Sequence, residues 1–281
     1  MLSYRHAFHA GNHADVLKHL ILLLSASYLA EKPAPFWIID THAGAGRYLL
    51  ESDHAQKLAE FRDGIGRLWD AKKLPAAAVE YVDLIRLLNP DGQLRHYPGS
   101  PWIAQACLRD TDRLRLFEMH STDSKFLQEC FKNAGRQVSV TVGDGFAGLK
   151  AVLPPPPRRA LVLIDPSYET REDYSNVVKG LQDALKRFAT GTYAVWYPML
   201  SKLESRRLPE RLKALGAKNW LHVTLEVKAA AKDGFGMNGS GMFLINPPWT
   251  LEKTLHETLP RLVELLAQGP GARYVIESES A

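Results

Sequence analysis

The chain has 281 residues, of which 46% are hydrophobic and 23% are charged. This is the composition of an ordinary globular protein, and it excludes the collagen-like, coiled-coil and disordered classes. Two cysteines, Cys107 and Cys130, are too few for a disulfide framework and indicate a reducing compartment. The net charge of +4 permits a polyanionic partner without requiring one, because no long run of lysine or arginine occurs.

The longest apolar run, residues 20–30, is about half the length that a membrane span needs. It continues the helical spacing of Val16 and Leu17, which predicts an amphipathic helix that faces a core. A lysine precedes the run as in a secretion signal, but Asp15 and the polar stretch 4–6 occupy the place of a simple basic region. We therefore expect a cytoplasmic protein with no membrane association.

Seven short apolar or β-branched runs alternate with helical patterns along the chain. The predicted strands are 36–39, 114–117, 138–142, 161–164, 193–197, 222–227 and 242–245, and helical stretches include 174–188 and 202–215. Alternation of this kind predicts an α/β fold, in which a mostly parallel sheet is covered on both faces. We expect residues 1–281 to form a single domain.

The gap between the first two predicted strands is much longer than a plain βαβ unit needs. Apolar residues recur at helical spacing over residues 58–68 and again over 79–88. The turn sequence Asn-Pro-Asp-Gly follows at 89–92. Residues 47–98 are therefore predicted to form a helical insertion subdomain within the domain.

Two glycines, Gly44 and Gly46, follow the first predicted strand in the segment 40–46. Glycines at the carboxyl end of a strand let the backbone approach a ligand in the crevice of an α/β sheet. The dinucleotide pattern G-x-G-x-x-G is incomplete here, so an ordinary strand-exit turn explains the segment equally well.

Acidic residues follow or end the second and third predicted strands. Glu118 stands where an acid commonly accepts hydrogen bonds from the ribose of a nucleoside cofactor, although a solvated carboxylate is the commoner structure at a strand end. Asp144 lies between Gly143 and Gly145, where it could meet an adenine amino group while Phe146 lines the ring. A plain turn is the alternative.

The fourth predicted strand leads into Asp165-Pro166-Ser167-Tyr168. The Asp165 carboxylate and the Pro166 carbonyl could accept both hydrogens of an exocyclic amine while Tyr168 stacks on the base. Proline fixes φ, so its carbonyl would be aimed before the substrate arrives. The coincidence of four such signals at four successive strand ends carries more weight than any one of them.

Together these strand ends resemble a Rossmann-like, S-adenosylmethionine-dependent methyltransferase of the adenine-N6 kind. Residues 40–46 resemble its cofactor loop, and residues 165–168 resemble its D-P-P-Y catalytic motif. The blocks 1–6, 9–19, 40–48, 97–101, 189–191 and 246–249 are similar to the bacterial 23S ribosomal RNA adenine-N6 methyltransferase family of the RlmJ type. The similarity covers nearly the whole chain, and the N-terminal block is the most specific part of it.

The resemblance implies roles for particular residues. S-adenosylmethionine would be bound by His19, His42, Ser100, Glu118, Asp144, Gly145 and Asp165. The substrate would be bound by Tyr4, His6, Lys18, Pro166 and Tyr168, with Tyr4 on the RNA and His6 and Lys18 supporting the site. Asp165 would be the catalytic residue. The partner would be 23S ribosomal RNA, and the protein would act as a monomer without an obligate protein partner.

The chain departs from the family motif at Ser167, where a second proline is usual. Asp165, Pro166 and Tyr168 are retained, so the departure bears on the rate rather than on the type of reaction. The downstream sequence 246–249, Asn-Pro-Pro-Trp, matches the consensus better but follows the seventh predicted strand. We expect it to form a rigid turn at the far edge of the sheet.

The N-terminal histidines His6, His9 and His13 could suggest a metal site, because His9 and His13 are one helical turn apart. Zinc usually has four ligands at compact spacing, and no cysteine and no carboxylate other than Asp15 lies nearby to complete the set. We therefore expect no metal. A helix cap, an RNA contact and a cofactor lid are the alternatives for these residues.

Two alternatives to an RNA adenine methyltransferase stay open. One is a non-catalytic RNA-binding or assembly protein on a decayed methyltransferase scaffold, with Ser167 as the mark of decay. The other is a DNA adenine-N6 methyltransferase, which normally needs a target-recognition domain larger than the insertion at 47–98. For either nucleic acid, the base must leave its stack to reach the pocket, which suits an RNA loop or bulge better than a duplex.

Overall fold

The computed structural model describes residues 5–231, 234 and 236–280. Its strands are β1 (Trp37–Asp40), β2 (Arg47–Leu49), β3 (His96–Pro98), β4 (Arg113–Glu118), β5 (Val138–Val142), β6 (Ala160–Ile164), β7 (Thr192–Met199), β8 (Trp220–Glu226), β9 (Gly239–Ile245) and β10 (Arg273–Glu279). Its α-helices are α1 (His13–Ala30), α2 (Asp53–Leu58), α3 (Ile65–Trp69), α4 (Ala76–Arg86), α5 (Ser100–Ala106), α6 (Ser121–Phe131), α7 (Gly145–Val152), α8 (Arg171–Arg187), α9 (Leu203–Lys213) and α10 (Leu251–Leu266). Two 3₁₀ helices cover His6–Phe8 and Glu60–Asp63.

The main sheet has the strand order β10-β8-β9-β7-β6-β1-β4-β5. Neighbouring strands from β5 to β7 pair in parallel, whereas β9 is antiparallel to β7 and β8, and β10 is antiparallel to β8. The chain moves outward from β1 in both directions, which makes the carboxyl end of β1 the point where α/β sheets bind ligands. The predicted α/β, Rossmann-like fold class is confirmed.

The seven predicted strands correspond to β1 and to β4 through β9. β2, β3 and β10 were not predicted from the sequence. The first two have three residues each, which is too short to show a periodicity. β10 is an edge strand in which the half-buried Tyr274 and Ile276 alternate with exposed residues. Its hydrophobic side chains are confined to residues 274–276, which is too short a run to predict a strand.

The motif at 246–249 lies at the opposite edge of the sheet from the ligand crevice. Because β9 runs antiparallel to β7, it ends where the parallel strands begin. The Asn246 side chain donates hydrogen bonds of 2.8 Å to the carbonyls of Ala189 and Gly191, just before β7. Trp249 beside it is exposed. As expected, this motif is a turn at the far edge.

The apolar N-terminal segment forms α1, which begins at the N-cap Asn12. The Asn12 side chain accepts hydrogen bonds from the backbone N–H groups of Ala14 and Asp15, each at 3.0 Å. The prediction of an amphipathic helix with one core face is wrong, because α1 is buried nearly all round. Asp15 and Lys18 are buried with the apolar residues, which the structure permits because they pair with each other.

Residues 47–98 contain α2, α3 and α4, together with a two-stranded antiparallel ribbon of β2 and β3. Their buried side chains, among them Ile65, Tyr81 and Ile85, join the same hydrophobic cluster as Leu17 and Leu20 of α1. We propose that this segment is an insertion subdomain that shares its core with the rest of the single domain.

Two hydrophobic clusters cover the two faces of the sheet. Ile38 belongs to one cluster and its neighbour Ile39 to the other, because successive side chains of a strand point to opposite faces. Both faces are therefore covered, as expected for parallel strands. Within the described part of the chain, no helix is long and apolar enough to cross a membrane.

Candidate active site

A cavity of about 460 Å³ opens at the carboxyl ends of β1, β4, β5 and β6. Eleven of the predicted site residues line it: His6, Lys18, His19, His42, Ser100, Glu118, Asp144, Gly145, Asp165, Pro166 and Tyr168. The twelfth, Tyr4, lies outside the described residues. The sheet brings the strand-end residues together, and α1 adds the N-terminal residues from one side.

Glycines allow two loops to meet at the floor of this cavity. A Cβ on Gly145 would lie 1.9 Å from the carbonyl oxygen of Thr41, so the start of α7 can approach the loop after β1 only with glycine there. Gly44 has a φ of 61°, in the left-handed region that glycine adopts without strain. The structure thus requires glycine at position 44 of the predicted turn and at position 145.

Glu118 holds the glycine loop by its carboxylate. One oxygen accepts the N–H of Gly44 at 2.7 Å, and the other accepts the N–H of His120 at 2.6 Å. Burial raises the pKa of Glu118, while these two hydrogen bonds oppose the rise. Each oxygen keeps a further lone pair, with which it can accept a hydrogen bond from a ligand hydroxyl.

Asp144 caps α7, and its Oδ1 accepts the N–H of Phe146 at 2.8 Å. The Phe146 ring meets the His42 ring edge-on, with centroids 5.4 Å apart. Burial lowers the pKa of His42 to about 4, so this imidazole is neutral at pH 7. The Asp144 carboxylate and the neutral His42 imidazole thus line one end of the cavity. Phe146, which the sequence predicted beside an adenine ring, packs behind His42 and is not among the residues that line the cavity.

Asp165 follows β6 and pairs with Lys18 of α1. The Lys18 Nζ donates to Oδ2 of Asp165 at 2.6 Å and lies 2.9 Å from Oδ1 of Asp15, one helical turn before it. Burial by itself would lower the pKa of Lys18, but the two carboxylates outweigh burial and raise it well above its usual value. Lys18 is therefore a permanent cation between two carboxylates.

Ser100 lines the cavity at the start of α5, and its hydroxyl donates to Oδ2 of Asp40 at 2.6 Å. Asp40 ends β1 and also accepts the backbone N–H of His42 at 3.2 Å. Burial raises the pKa of Asp40 to about 7, while the hydrogen bonds from Ser100 and His42 oppose the rise.

Tyr168 packs deep in the site. Its ring lies 4.7 Å from the Tyr174 ring and 6.0 Å from the Trp196 ring, and its hydroxyl donates to the Trp196 carbonyl at 2.6 Å. Its φ of 53° is strained for a bulky residue, and such strain is concentrated at functional sites. Tyr168 is 2% exposed, so only a small part of its ring faces the cavity.

The N-terminal histidines have separate partners. The Nε2 of His6 lies 2.9 Å from Asp15, and the Nδ1 of His9 lies 3.1 Å from Glu60, whereas His13 is buried in α1. Among the described residues, no group of three or more histidine, cysteine and acidic side chains could hold a metal ion. The structure thus explains His6 and His9 as hydrogen-bonding residues at one side of the cavity.

Comparison with known proteins identifies the family. The family model described as "Ribosomal RNA large subunit methyltransferase D, RlmJ" matches residues 33–276. The chain belongs to the RlmJ family. A protein of Haemophilus influenzae named "Ribosomal RNA large subunit methyltransferase J" is 47% identical over 274 residues, which cover 97% of both chains. A protein of Escherichia coli with the same name is 48% identical over 272 residues, 96% of each chain.

A solved structure has the same fold over the whole length of this RlmJ family member. It is a crystal structure of a Legionella pneumophila protein, which superimposes with a TM-score of 0.89 at 36% identity and covers 97% of this chain and 99% of that chain. Family membership confirms the expectation of a methyltransferase that uses S-adenosylmethionine.

The residues of this RlmJ family member fit that cofactor. The cavity volume lies within the range of about 300–1,000 Å³ that is usual for small-ligand sites. The close approach that Gly145 permits keeps a side chain out of the floor, and Glu118 is placed to accept hydrogen bonds. The site therefore fits S-adenosylmethionine because Gly145 leaves room at its floor and Glu118 can accept hydrogen bonds at its edge.

Asp15, Trp196 and Asp40 are among the residues that the structure brings to this site in the RlmJ fold and that were not predicted from the sequence. Asp15 and Trp196 line the cavity, and Asp40 bonds Ser100 behind it. An available signal for Asp15 was its opposite charge to Lys18 at a spacing of three in an apolar helix. No sequence signal pointed to Trp196, which comes from the middle of β7 and lies with its ring 5.5 Å from the Lys18 Nζ.

Proposed function

We propose that this protein transfers a methyl group from S-adenosylmethionine to N6 of an adenine in 23S ribosomal RNA. The supporting observation is the placement of Asp165, Pro166 and Tyr168 at the carboxyl end of β6, inside the cavity that Glu118 and Asp144 also line. The relatives named ribosomal RNA large subunit methyltransferases support the substrate class.

We assign the cofactor to the part of the cavity beside Glu118, Asp144 and Gly145. Glu118 would accept hydrogen bonds from the ribose, and Asp144 would meet the adenine amino group. His19, His42, Ser100 and Asp165 would complete this part of the site. Bound there, S-adenosylmethionine supplies an electrophilic methyl group.

The residues of the chain act on the amine that receives the methyl group. The lone pair of adenine N6 is delocalised into the ring, which makes the nitrogen a poor nucleophile. Hydrogen bonds from the amine to Asp165 and to the Pro166 carbonyl draw the nitrogen toward tetrahedral geometry and orient its lone pair. The N6–carbon bond forms as the sulfur–carbon bond breaks, and one N6 proton is lost to an acceptor, for which Asp165 is the nearest candidate.

Tyr4, His6, Lys18 and Tyr168 are the proposed substrate side of the site. Tyr168 would contact the flipped base through the part of its ring that faces the cavity. Lys18 is 4% exposed and already engages two carboxylates, so we assign it to supporting Asp165 rather than to a phosphate. A ribosomal RNA substrate also implies action in the cytoplasm. Action as a monomer stays a prediction, which light scattering tests.

The decisive experiment measures methyl transfer from isotopically labelled S-adenosylmethionine to naked 23S ribosomal RNA, to assembled large subunits and to DNA. Digestion to nucleosides followed by mass spectrometry identifies the methylated atom. We expect N6-methyladenosine from an RNA substrate, formed far more slowly with Asp165→Asn. Product from DNA alone would indicate a DNA methyltransferase, and RNA binding without any product would indicate a decayed scaffold.

A further inference from the structure

Asp15 is an acid buried inside α1 without any role assigned to it so far. It is 1% exposed, and burial of an unpaired carboxylate is strongly unfavourable. Both oxygens of the Asp15 carboxylate have polar partners. Oδ2 lies 2.9 Å from the Nε2 of His6 and accepts the backbone N–H of Gly11 at 2.9 Å, and Oδ1 lies 2.9 Å from the Lys18 Nζ.

Lys18 links Asp15 to Asp165, which is 150 residues later in the chain. The ammonium is 2.6 Å from Oδ2 of Asp165, so Oδ2 already has a donor. Within residues 5–231, 234 and 236–280, Oδ1 of Asp165 has no hydrogen-bond partner. One oxygen of the proposed catalytic carboxylate is therefore held, and the other is left to accept a proton from a substrate amine.

The charges around Lys18 fit this arrangement. Titratable groups with electrostatic influence around Lys18 come from several elements: Asp15 and His19 on α1, His6 before it, Asp40 on β1, Tyr48 on β2, Tyr81 on α4 and Asp165 after β6. Burial lowers the pKa of His19 to about 3, so it adds no positive charge at neutral pH. Two carboxylates thus stabilise the one ammonium group of Lys18. Their effect is needed because burial alone would favour loss of the ammonium proton.

We propose that Asp15 is a positioning residue, which holds the charged Lys18 side chain in place so that Lys18 fixes Asp165 with one oxygen bound and one oxygen free. This proposal rests on the proposed function of Asp165. The contacts of Asp15 with His6 and Gly11 also join the N-terminal segment to the catalytic carboxylate. Asp15 touches neither substrate nor reacting atoms in this arrangement, and it acts through Lys18.

A double-mutant cycle tests whether Asp15 acts through Lys18. We expect Asp15→Asn to lower kcat on the order of 100-fold, because a small displacement of a catalytic group has an effect of that size. The dissociation constant for S-adenosylmethionine should stay unchanged. Lys18→Met should lower kcat similarly, and the double variant should be no slower than Lys18→Met alone.

The matched control is Asp112→Asn. Asp112 is also a fully buried carboxylate, and it pairs with Arg109 at 2.8 Å outside the cavity. We expect this change to lower stability without changing kcat. A second readout is nitrogen NMR of the Lys18 amine in protein without RNA, with the signal identified by its loss in Lys18→Met. Asp15→Asn should lower the pKa of that amine, because one of the two carboxylates that raise it is removed.

The proposal would be overturned if the two substitutions lowered kcat additively in the double variant, or if Asp15→Asn had the wild-type kcat. If Asp15→Asn does not fold, the NMR titration of the wild-type protein decides: a Lys18 amine that titrates at or below the ordinary lysine value of about 10.4 would overturn it. Failure of the proposed function has a different signature, since Asp165→Asn would then retain the wild-type rate. An inactive Asp165→Asn beside a fully active Asp15→Asn would reject this inference alone.

Discussion

Replacement of Asp165 separates the chemical role of its carboxylate from its structural role. Asp165→Asn keeps the shape of the side chain and an oxygen that can face Lys18, but it removes the negative charge and one acceptor. If the carboxylate acts mainly on the amine in the transition state, kcat and kcat/KM should fall together. We expect a loss of about 100- to 1,000-fold, the size seen when one preorganised polar group is removed from an active site.

The structure also sets the stability cost. Removing one partner of a buried ion pair typically costs about 3–5 kcal/mol, because the other charge is left uncompensated. Lys18 keeps Asp15 at 2.9 Å, so Asp165→Ala should cost less, about 1.5–3 kcal/mol, the range for a hydrogen bond to a charged group. Asp165→Asn should cost less still. Either variant should therefore remain folded.

The assay combines denaturant unfolding with single-turnover methylation of RNA at saturating cofactor. Single-turnover conditions isolate the chemical step from product release. A folded Asp165→Asn protein that binds cofactor and methylates at the wild-type rate would refute the assignment. A loss of folding stability well above 3 kcal/mol in Asp165→Ala would instead refute the view that Asp15 alone compensates the charge of Lys18.

Further predictions concern other parts of the molecule. Glu118→Ala should weaken S-adenosylmethionine binding by about 1.5–3 kcal/mol in calorimetry, whereas unchanged affinity would reject the ribose contact. Asp40 has a pKa raised to about 7, so its contribution to stability is complete below the unfolded value of 3.8 and is lost as pH rises through 7. Between those limits, chemical denaturation should show the wild-type protein losing stability relative to Asp40→Asn by about 1.4 kcal/mol per pH unit, and parallel curves would contradict the shift. Asn246→Ala should lose two hydrogen bonds, or about 1–3 kcal/mol of stability, with kcat unchanged; a large loss of kcat would move the catalytic motif to the other edge of the sheet.

Local patterns were sufficient for the strands that are fully buried and for the residues at their ends. β6 is apolar throughout, so its position and the loop beginning at Asp165 were predictable from hydrophobicity alone. Short or exposed strands such as β2 and β10 lacked that signal. The amphipathic interpretation of α1 failed because Asp15 and Lys18 are buried along with the apolar residues, each providing the other with a partner.

The sequence by itself determined the α/β class, the order of the strand-end residues and, through similarity, the proposed site residues. These features depend on periodicity and on residue types that lie close together in the chain. Only the tertiary structure decided that Lys18 lies between Asp15 and Asp165, and that Ser100 bonds Asp40. Such contacts depend on strand direction and on how a helix packs beside a distant loop, because side chains far apart in the chain meet only when the sheet forms.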